Sequence, residues 1–511
     1  MQDNSANNKR IAKNTIFLYF RMMLIMTIGL YTSRVVLDKL GVEDYGIYNV
    51  IGGLVIIFSF INGAMITSTQ RFLNYSIGVN DEEELRRVFN ASQIIHFGIA
   101  ALLIVVAETV GLWFLFNKMS IPPERMDAAF WTFQLTIATT AFLIFSYPYN
   151  ALIIAHEKMN VFAYVSIIEA VLKLSVVFLL SMFDYDRLIF YAFLIMLVQI
   201  SVTLMYRLYS AKHYKETRFM VRDIPKQLYR RMVTFSGWNL FGNIAQVCLN
   251  QGTNILLNIF FGPVVNAAKG ISMQVEHAVN QLCSNFQTAQ NPQIVKSYAV
   301  KDYNYMHNLI FTSSRMSYYL TLILAVPIIF KVDFILSLWL KNVPKMTDSF
   351  VQYAMVCCII QSLGRPLLTG CIATGNVKKL MSILAVFFWS VILWAYLALK
   401  MGGEPIVVFQ ILVAMYLIAH GIRIKIASEQ LGFSVMLYVR QVLLPIVCVT
   451  VVSMLLTYGM NYISFSTIAG DTVLLLADCF LVVLVCWFLG LTKPEKHSIV
   501  RFVNKKLHKE G

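Results

Sequence analysis

The stretch VLDKLGVEDYGIYNVIGGLVIIF, residues 36–58, sets an acidic, glycine-marked turn (LGVEDYG) between two long apolar runs. A related turn returns at residues 255–270 as ILLNIFFGPVVNAAKG. An apolar run of about 20 residues is long enough to cross a hydrocarbon layer of roughly 30 Å as a helix. A short polar turn between two such runs therefore reads as the place where a chain leaves the membrane and re-enters it.

The rest of the chain repeats the pattern. Of its 511 residues, 58% are hydrophobic and 14% charged, against about 25% charged in an ordinary soluble protein. Fourteen apolar runs are candidate spans, which predicts an all-α polytopic membrane protein. The eight cysteines lie within apolar segments and suggest neither a disulfide framework nor a zinc site.

Loop charge gives an independent check on the count. With the N-terminus in the cytoplasm, alternate loops hold 27 Lys and Arg inside and 8 outside. That asymmetry is the positive-inside pattern, and it predicts a multi-pass protein with both termini cytoplasmic. The net charge of +15 then faces an anionic lipid membrane, and no nucleic acid is needed to explain it.

The basic loop near residue 220 divides the chain. Residues 1–209 hold spans 1–6, 210–232 form a basic cytoplasmic linker, 233–427 hold spans 7–12, 428–490 hold two extra helices and 491–511 a basic tail. The linker's second half reads as a short amphipathic helix on the membrane surface, with Asp223 as N-cap and Pro225 in the first turn. The tail reads the same way, with Ile499, Phe502, Val503 and Leu507 on one face. LGVEDYG follows span 1 and FFGPVVNAAKG follows span 7, so the two turns occupy the same place in each half. Two six-helix lobes in a pseudo-twofold arrangement would handle substrate where they meet.

Charges inside spans are costly, so each faces a partner or water. Arg21 lies about two turns into span 1. Arg365 lies between Gly364 and Pro366, a pair expected to break or kink span 10. Arg34 and Lys269 lie near outside ends, where snorkelling is the plain alternative. Arg315 lies in span 9, Glu108 in span 3 and Asp478 in span 14. Glu169 and Lys173 are four apart and suited to pairing, as a structural ion pair or as part of coupling. Glu276 lies two turns beyond Lys269.

Span 7 carries an amide stripe: Asn239, Asn243, Gln246, Asn250, Asn254 and Asn258. Span 8 adds Asn266, His277, Asn280, Ser284 and Asn291 at similar spacing. Amides of this kind either join helices or line a wet cavity, where their donors and acceptors suit sugar hydroxyls. There is no Walker loop, dinucleotide fingerprint, HExxH or GxSxG. The reading is a non-enzyme without cofactor or metal.

The chain resembles the polysaccharide and O-antigen repeat-unit flippases of the multidrug/oligosaccharidyl-lipid/polysaccharide exporter superfamily. The resemblance rests on NTIFLYFRMMLIMTIGLYTSRVVLDKLGVEDYGIYNV, on NGAMITSTQRFLNYSIG, and on FSGWNLFGNIAQ and FGPVVNAAKGIS in the second half. It implies flipping of undecaprenyl-diphosphate-linked oligosaccharide across the bacterial cytoplasmic (inner) membrane by alternating access. The lipid-linked oligosaccharide would be the substrate, and other polysaccharide-assembly proteins the partners. Some relatives, the peptidoglycan-precursor flippases, hold the diphosphate with arginines of the first helix and the start of the second lobe. Arg21, Arg34 and Lys269 occupy similar positions, and Arg365 and Arg315 complete the candidate cationic set. Lys269 departs from the arginine pattern and offers a point charge without a bidentate fork.

Two rival readings stand beside this one. A cation-coupled multidrug or small-molecule exporter of the same superfamily commonly has an acid in its first helix, whereas this chain has no acid from Asn14 to Leu37. A membrane polymerase or ligase typically has a large outside loop with catalytic Arg or His, and here every predicted outside loop is short.

Overall fold

The computed structural model describes residues 14–496, except 16, 30, 33–34, 37–38, 41–43, 45–46, 49–50, 52–58, 118–120, 181, 183–185, 219–223, 262, 341–342 and 462–466. The side chains of residues 59–64, 258, 263–264 and 266–267 are likewise not described. The described elements are all helical.

Fourteen helices correspond to the fourteen predicted spans. They are α1 (Phe17–Gly29), α2 (Ser59–Gly78), α3 (Glu82–Asn117), α4 (Met126–Ala155), α5 (Met159–Leu179), α6 (Arg187–His213), α7 (Lys226–Phe261), α8 (Pro263–Ala299), α9 (Tyr303–Phe330), α10 (Thr347–Thr374), α11 (Lys378–Lys400), α12 (Ile406–Leu431), α13 (Val435–Met460) and α14 (Ile468–Gly490). A short helix, Val332–Trp339, lies between α9 and α10. Counting Pro123–Arg125 with α4, ten of the fourteen are long and apolar enough to cross a membrane; α2, α7 and α8 are more polar, and α1 is shorter. Large apolar side chains stand exposed on many helices, among them Phe97, Trp131, Leu208, Val386, Leu455 and Phe480. Such a surface needs lipid around it, and the chain is a multi-pass membrane protein.

Local chemistry explains the helix ends. Asp81 caps α3 by accepting from the Glu84 amide, and Glu82, Glu83 and Glu84 occupy the first turn, where the helix dipole favours acids. Asp186 caps α6, Asp302 caps α9 and Thr467 caps α14. α10 and α12 stop at Gly375 and Gly432, whose φ angles of 79° and 77° put them in the left-handed region that glycine tolerates.

Two expectations change. The linker does not form a separate surface helix after Pro225, because Lys226 already begins α7, which runs 36 residues without interruption. At 1.5 Å per residue it is about 54 Å long, more than the bilayer with its headgroups. Asp223 lies outside the described residues, as do Ile499, Phe502, Val503 and Leu507 of the tail. The second change concerns α10, which stays helical through Gly364 and Pro366. Gly364 there admits a neighbouring side chain: a Cβ built on it would lie 2.7 Å from Nη1 of Arg423.

The chain divides into two compact units, Arg10–Leu240 and Phe241–Gly511 with Met1–Lys9, so the division falls inside α7. The N-terminal unit has two apolar clusters. Val36 and Leu40, from the opening stretch, belong to one with Leu73, Phe89 and Leu152. Ile47 and Ile51 belong to the other with Leu103, Phe133 and Ile144. The residues on either side of the acidic stretch thus pack into different clusters, and Asp44 accepts from Nε and Nη2 of Arg125 at 2.8 and 2.6 Å. Within the C-terminal unit, α7 approaches α11 closely at two glycines: a Cβ on Gly242 or Gly252 would lie 2.7 Å from Met381 or Ile392.

Candidate functional site

In the N-terminal unit, Arg21 of α1 stacks on the ring of Phe162 in α5, 4.4 Å from its centroid. Its electrostatic neighbours are Glu169 of α5 and Tyr206 of α6. Glu169 and Lys173 form the i,i+4 pair at 2.6 Å, so the structure brings Arg21 to the Glu169–Lys173 pair that sequence spacing treats separately. Tyr206 is hydrogen-bonded with Ser166 and Asn150. Nε of Arg21 is buried without an acceptor among the described residues. Arg34 lies outside the described residues.

The C-terminal unit holds a second charged cluster. Lys269 of α8 is 4% exposed. It donates to Thr253 Oγ1 at 2.6 Å and to the Asn250 carbonyl at 3.2 Å, both on α7. Glu276, two turns along α8, is hydrogen-bonded with Gln361 of α10 and feels Lys269 and Arg365 as its charged neighbours. Arg365 is exposed. Arg423 of α12 lies against Gly364, electrostatically coupled to Arg365 and Tyr416, with its Nε buried and lacking an acceptor among the described residues. Lys269 and Arg365 thus share one carboxylate, Glu276, while Arg423 faces Arg365 and Tyr416.

Arg315 has a different setting. It is buried, ion-paired with Glu495 beyond α14, and donates to the Gln441 carbonyl at 2.7 Å. Gln441 belongs to a π-helical turn, Val439–Leu443, and such turns interrupt the regular carbonyl pattern of a helix. Gly490, ending the π-turn of α14, accepts from the Tyr319 hydroxyl in the same way. Both contacts fasten α13 and α14 to α9.

The amide stripe divides into different roles. Asn239 is buried and donates to its own helix at Phe235. Gln246 donates to the Tyr416 hydroxyl at 3.2 Å, and Asn280 to Cys358 Sγ at 3.4 Å. Asn243 and Asn250 are exposed and Asn254 is half-buried; the side chains of Asn258 and Asn266 are not described. On α8 the exposed positions Gln274, His277 and Gln281 follow at helical spacing. A polar exposed stripe on membrane-depth helices is costly against lipid.

Glu108 accepts from Gln134 at 3.1 Å, and Asp478 is buried beside Asn461. No group of three metal-ligating side chains is gathered among the described residues. Sequence reasoning gave no part to Arg423, which lies eight residues before the end of α12 at Leu431. It also gave no part to Phe162, Tyr206, Gln361 or Tyr416, which carry no charge to mark them.

No protein-family model matches the chain, and no curated protein sequence does. Solved structures do. A multidrug-resistance MATE-family transporter of the MOP superfamily, outward-facing, superposes with a TM-score of 0.72 at 12% identity, over 83% of this chain and 96% of that one. A MATE transporter in a straight conformation gives 0.73 at the same identity and coverage. A MOP-superfamily transporter from Pyrococcus furiosus, described as having a binding pocket of reversed polarity that suggests a different function, gives 0.67 at 12% identity over 83% and 96%. The chain has the MATE-transporter fold.

Proposed function

We propose that the protein flips a lipid-diphosphate-linked oligosaccharide across the bacterial cytoplasmic membrane by alternating access of its two six-helix lobes. It is a non-enzyme that serves O-antigen, capsule or another surface polysaccharide. The observation that carries this reading is the sign of the charge clusters. Each unit holds a membrane-depth carboxylate outnumbered by cations: Arg21 and Lys173 around Glu169, and Lys269 and Arg365 around Glu276, with Arg423 beside Arg365. Uncompensated cations at membrane depth are expensive, and a diphosphate offers what they lack. Guanidinium groups bind phosphate through strong charge-assisted hydrogen bonds. Arg21 in the N-terminal unit and Arg423 in the C-terminal unit, whose Nε atoms lack acceptors among the described residues, are each suited to this, and Arg365 and Lys269 add positive charge to the second cluster. The exposed amides Asn243, Asn250, Gln274 and Gln281 suit the sugar, and the prenyl tail stays in lipid.

A cation-coupled exporter of small cationic drugs needs the opposite polarity. The fold does not impose it, since the Pyrococcus furiosus neighbour is described as reversed in pocket polarity. The test removes the protein from its native cell and measures lipid-linked oligosaccharide on each membrane face. Wild type should relieve cytoplasm-facing accumulation, and an equally expressed Arg21→Ala should not. Relief by Arg21→Ala would remove Arg21 from the site. Absence of accumulation, in a cell with no second flippase, would refute the flippase reading.

A further inference from the structure

The N-terminal unit has a cavity of about 820 Å³ among α3, α4 and α6, in the size range of a small-molecule site. Neither charged cluster contributes to it. Phe97 of α3, Phe142 and Phe145 of α4, and Ile200 and Leu204 of α6 line one end. Phe97 is 65% exposed and stacks on Phe145 with centroids 6.0 Å apart, so this end opens sideways to lipid.

The other end is polar, lined by Arg207 of α6, Gln93 of α3, and Thr217 of the 3₁₀ turn Lys215–Thr217. Arg207 is exposed and is paired with no carboxylate among the described residues. Nε2 of Gln93 is buried without an acceptor among the described residues. An exposed guanidinium with no ion-pair partner and a buried amide donor without an acceptor among the described residues therefore stand at the mouth of an apolar trench.

Depth matches this division. Arg207 and Tyr149 each lie six residues before the ends of their helices, at His213 and Ala155. At 1.5 Å per residue that is about 9 Å in, the level of headgroup and ester. Phe142 and Ile200 each lie thirteen residues from those same ends, about 20 Å in and among acyl chains. Thr203 donates to the Phe142 carbonyl at 3.1 Å, which ties α6 to α4 beneath the trench. Lys212, Lys215 and Arg218 are exposed near the polar end, which the loop charges assign to the cytoplasmic leaflet. A zwitterionic phospholipid would bring its own cation against this basic rim; an anionic one would not.

We infer that the crevice is a binding site for one anionic glycerophospholipid of the cytoplasmic leaflet, with its phosphate on Arg207 and Gln93 and one acyl chain along Phe97, Phe142 and Phe145. Basic pockets between membrane helices recognise anionic headgroups by this chemistry. The site is independent of the cargo assigned above.

The test uses purified full-length protein in uncharged detergent, titrated with phosphatidylglycerol or phosphatidylcholine of identical chains, with bound lipid counted by native mass spectrometry. Wild type should prefer phosphatidylglycerol. Arg207→Gln, an exposed change that leaves packing alone, should weaken phosphatidylglycerol about fivefold, the scale of one basic contact to an anionic lipid, without changing phosphatidylcholine. Ile200→Trp, filling the deep end, should lower both lipids. Equal phosphatidylglycerol binding by wild type and Arg207→Gln would overturn the assignment. So would full displacement of phosphatidylglycerol by a polyprenyl phosphate in a manner dependent on Arg207, because the crevice would then belong to the substrate's route.

Discussion

Replacing Arg125 with alanine tests what the acidic turn of the opening stretch is for. Arg125 forms a two-sided clamp, with Asp44 at 2.8 and 2.6 Å and with Asp186 at 2.5 and 3.3 Å. The side chains of Arg125, Asp44 and Asp186 are 26, 16 and 31% exposed. They lie between a surface pair, worth about 0–1 kcal/mol, and a buried one, whose disruption costs about 3–5 kcal/mol. Bidentate geometry on the Asp44 side favours the middle of that interval, so removing Arg125 should cost about 2–3 kcal/mol in all. For a cooperative unit of roughly 200 residues this lowers Tm by about 6 °C, read by thermal unfolding of purified protein in detergent. Asp186 supplies the pH dependence. Burial pushes its carboxyl up, but hydrogen bonds from Arg125 and from the Ile189 and Leu188 amides outweigh that and hold it below the usual carboxylate range. Because the folded value is depressed, its contribution is complete above the unfolded value of about 3.9 and disappears as pH falls through the folded one. The gap between wild type and Arg125→Ala should therefore be flat from pH 8 to about 5 and narrow below 4. A melting point within about 1 °C of wild type, or no coupling in a double-mutant cycle with Asp186→Asn, would refute the clamp.

Three further outcomes follow from named contacts. Glu216 accepts from His156 at 2.6 Å, and His156 stacks on Tyr214 with centroids 4.2 Å apart; burial raises the Glu216 carboxyl, but the His156 hydrogen bond and a backbone amide hold it below its ordinary value. Glu216→Gln should loosen the start of the linker and speed tryptic cleavage at Lys215 and Arg218 about fivefold, equal to about 1 kcal/mol; unchanged cleavage would count against the contact. Breaking the buried Arg315–Glu495 pair by Glu495→Ala should cost about 3–5 kcal/mol, whereas Arg315→Met with Glu495→Met should recover most of the Tm; a double variant no better than the single would contradict this. Gly364→Ala puts a methyl 2.7 Å from Nη1 and 3.1 Å from Cδ of Arg423, so flipping should fall while the amount of folded protein in the membrane stays the same, at an overpacking cost of about 1 kcal/mol.

Periodicity made the helices legible, because an apolar run long enough to span a bilayer is a one-dimensional property. The boundary between spans 7 and 8 was legible too: α7 ends at Phe261 and α8 begins at Pro263, where proline is at home in a first helical turn. The separate linker helix was misread because Pro225 looks the same before a short helix as before a long one. Intramembrane charges were visible individually, since each breaks an apolar run. Their partners were not, because pairing across helices leaves no trace in spacing. Arg21 and Glu169 lie on α1 and α5, and Arg315 finds its carboxylate 180 residues away in Glu495. Arg423 was missed because a cation close to the end of a predicted span needs no partner to explain it, and only its contact with Gly364 puts it against α10.

The distribution of carboxylates bears on what the clusters are for. Toward the helix ends and in the loops, acids meet bases closely: Asp44 and Asp186 on Arg125, Glu83 on Arg87, Glu429 on Lys379 and Glu216 on His156. These are the places where an unpaired charge is cheapest, because water is near. At membrane depth, where an unpaired charge costs most, Lys269 and Arg365 share Glu276, Arg423 faces Arg365 and Tyr416, and Arg21 finds Glu169 already taken by Lys173 at 2.6 Å. A chain selected only for stability would pair its charges in the opposite order. On the function proposed above, an anion would resolve the inversion: the cost would be borne in the empty state and recovered on binding, so the excess positive charge in each unit would favour a diphosphate and oppose a cationic drug.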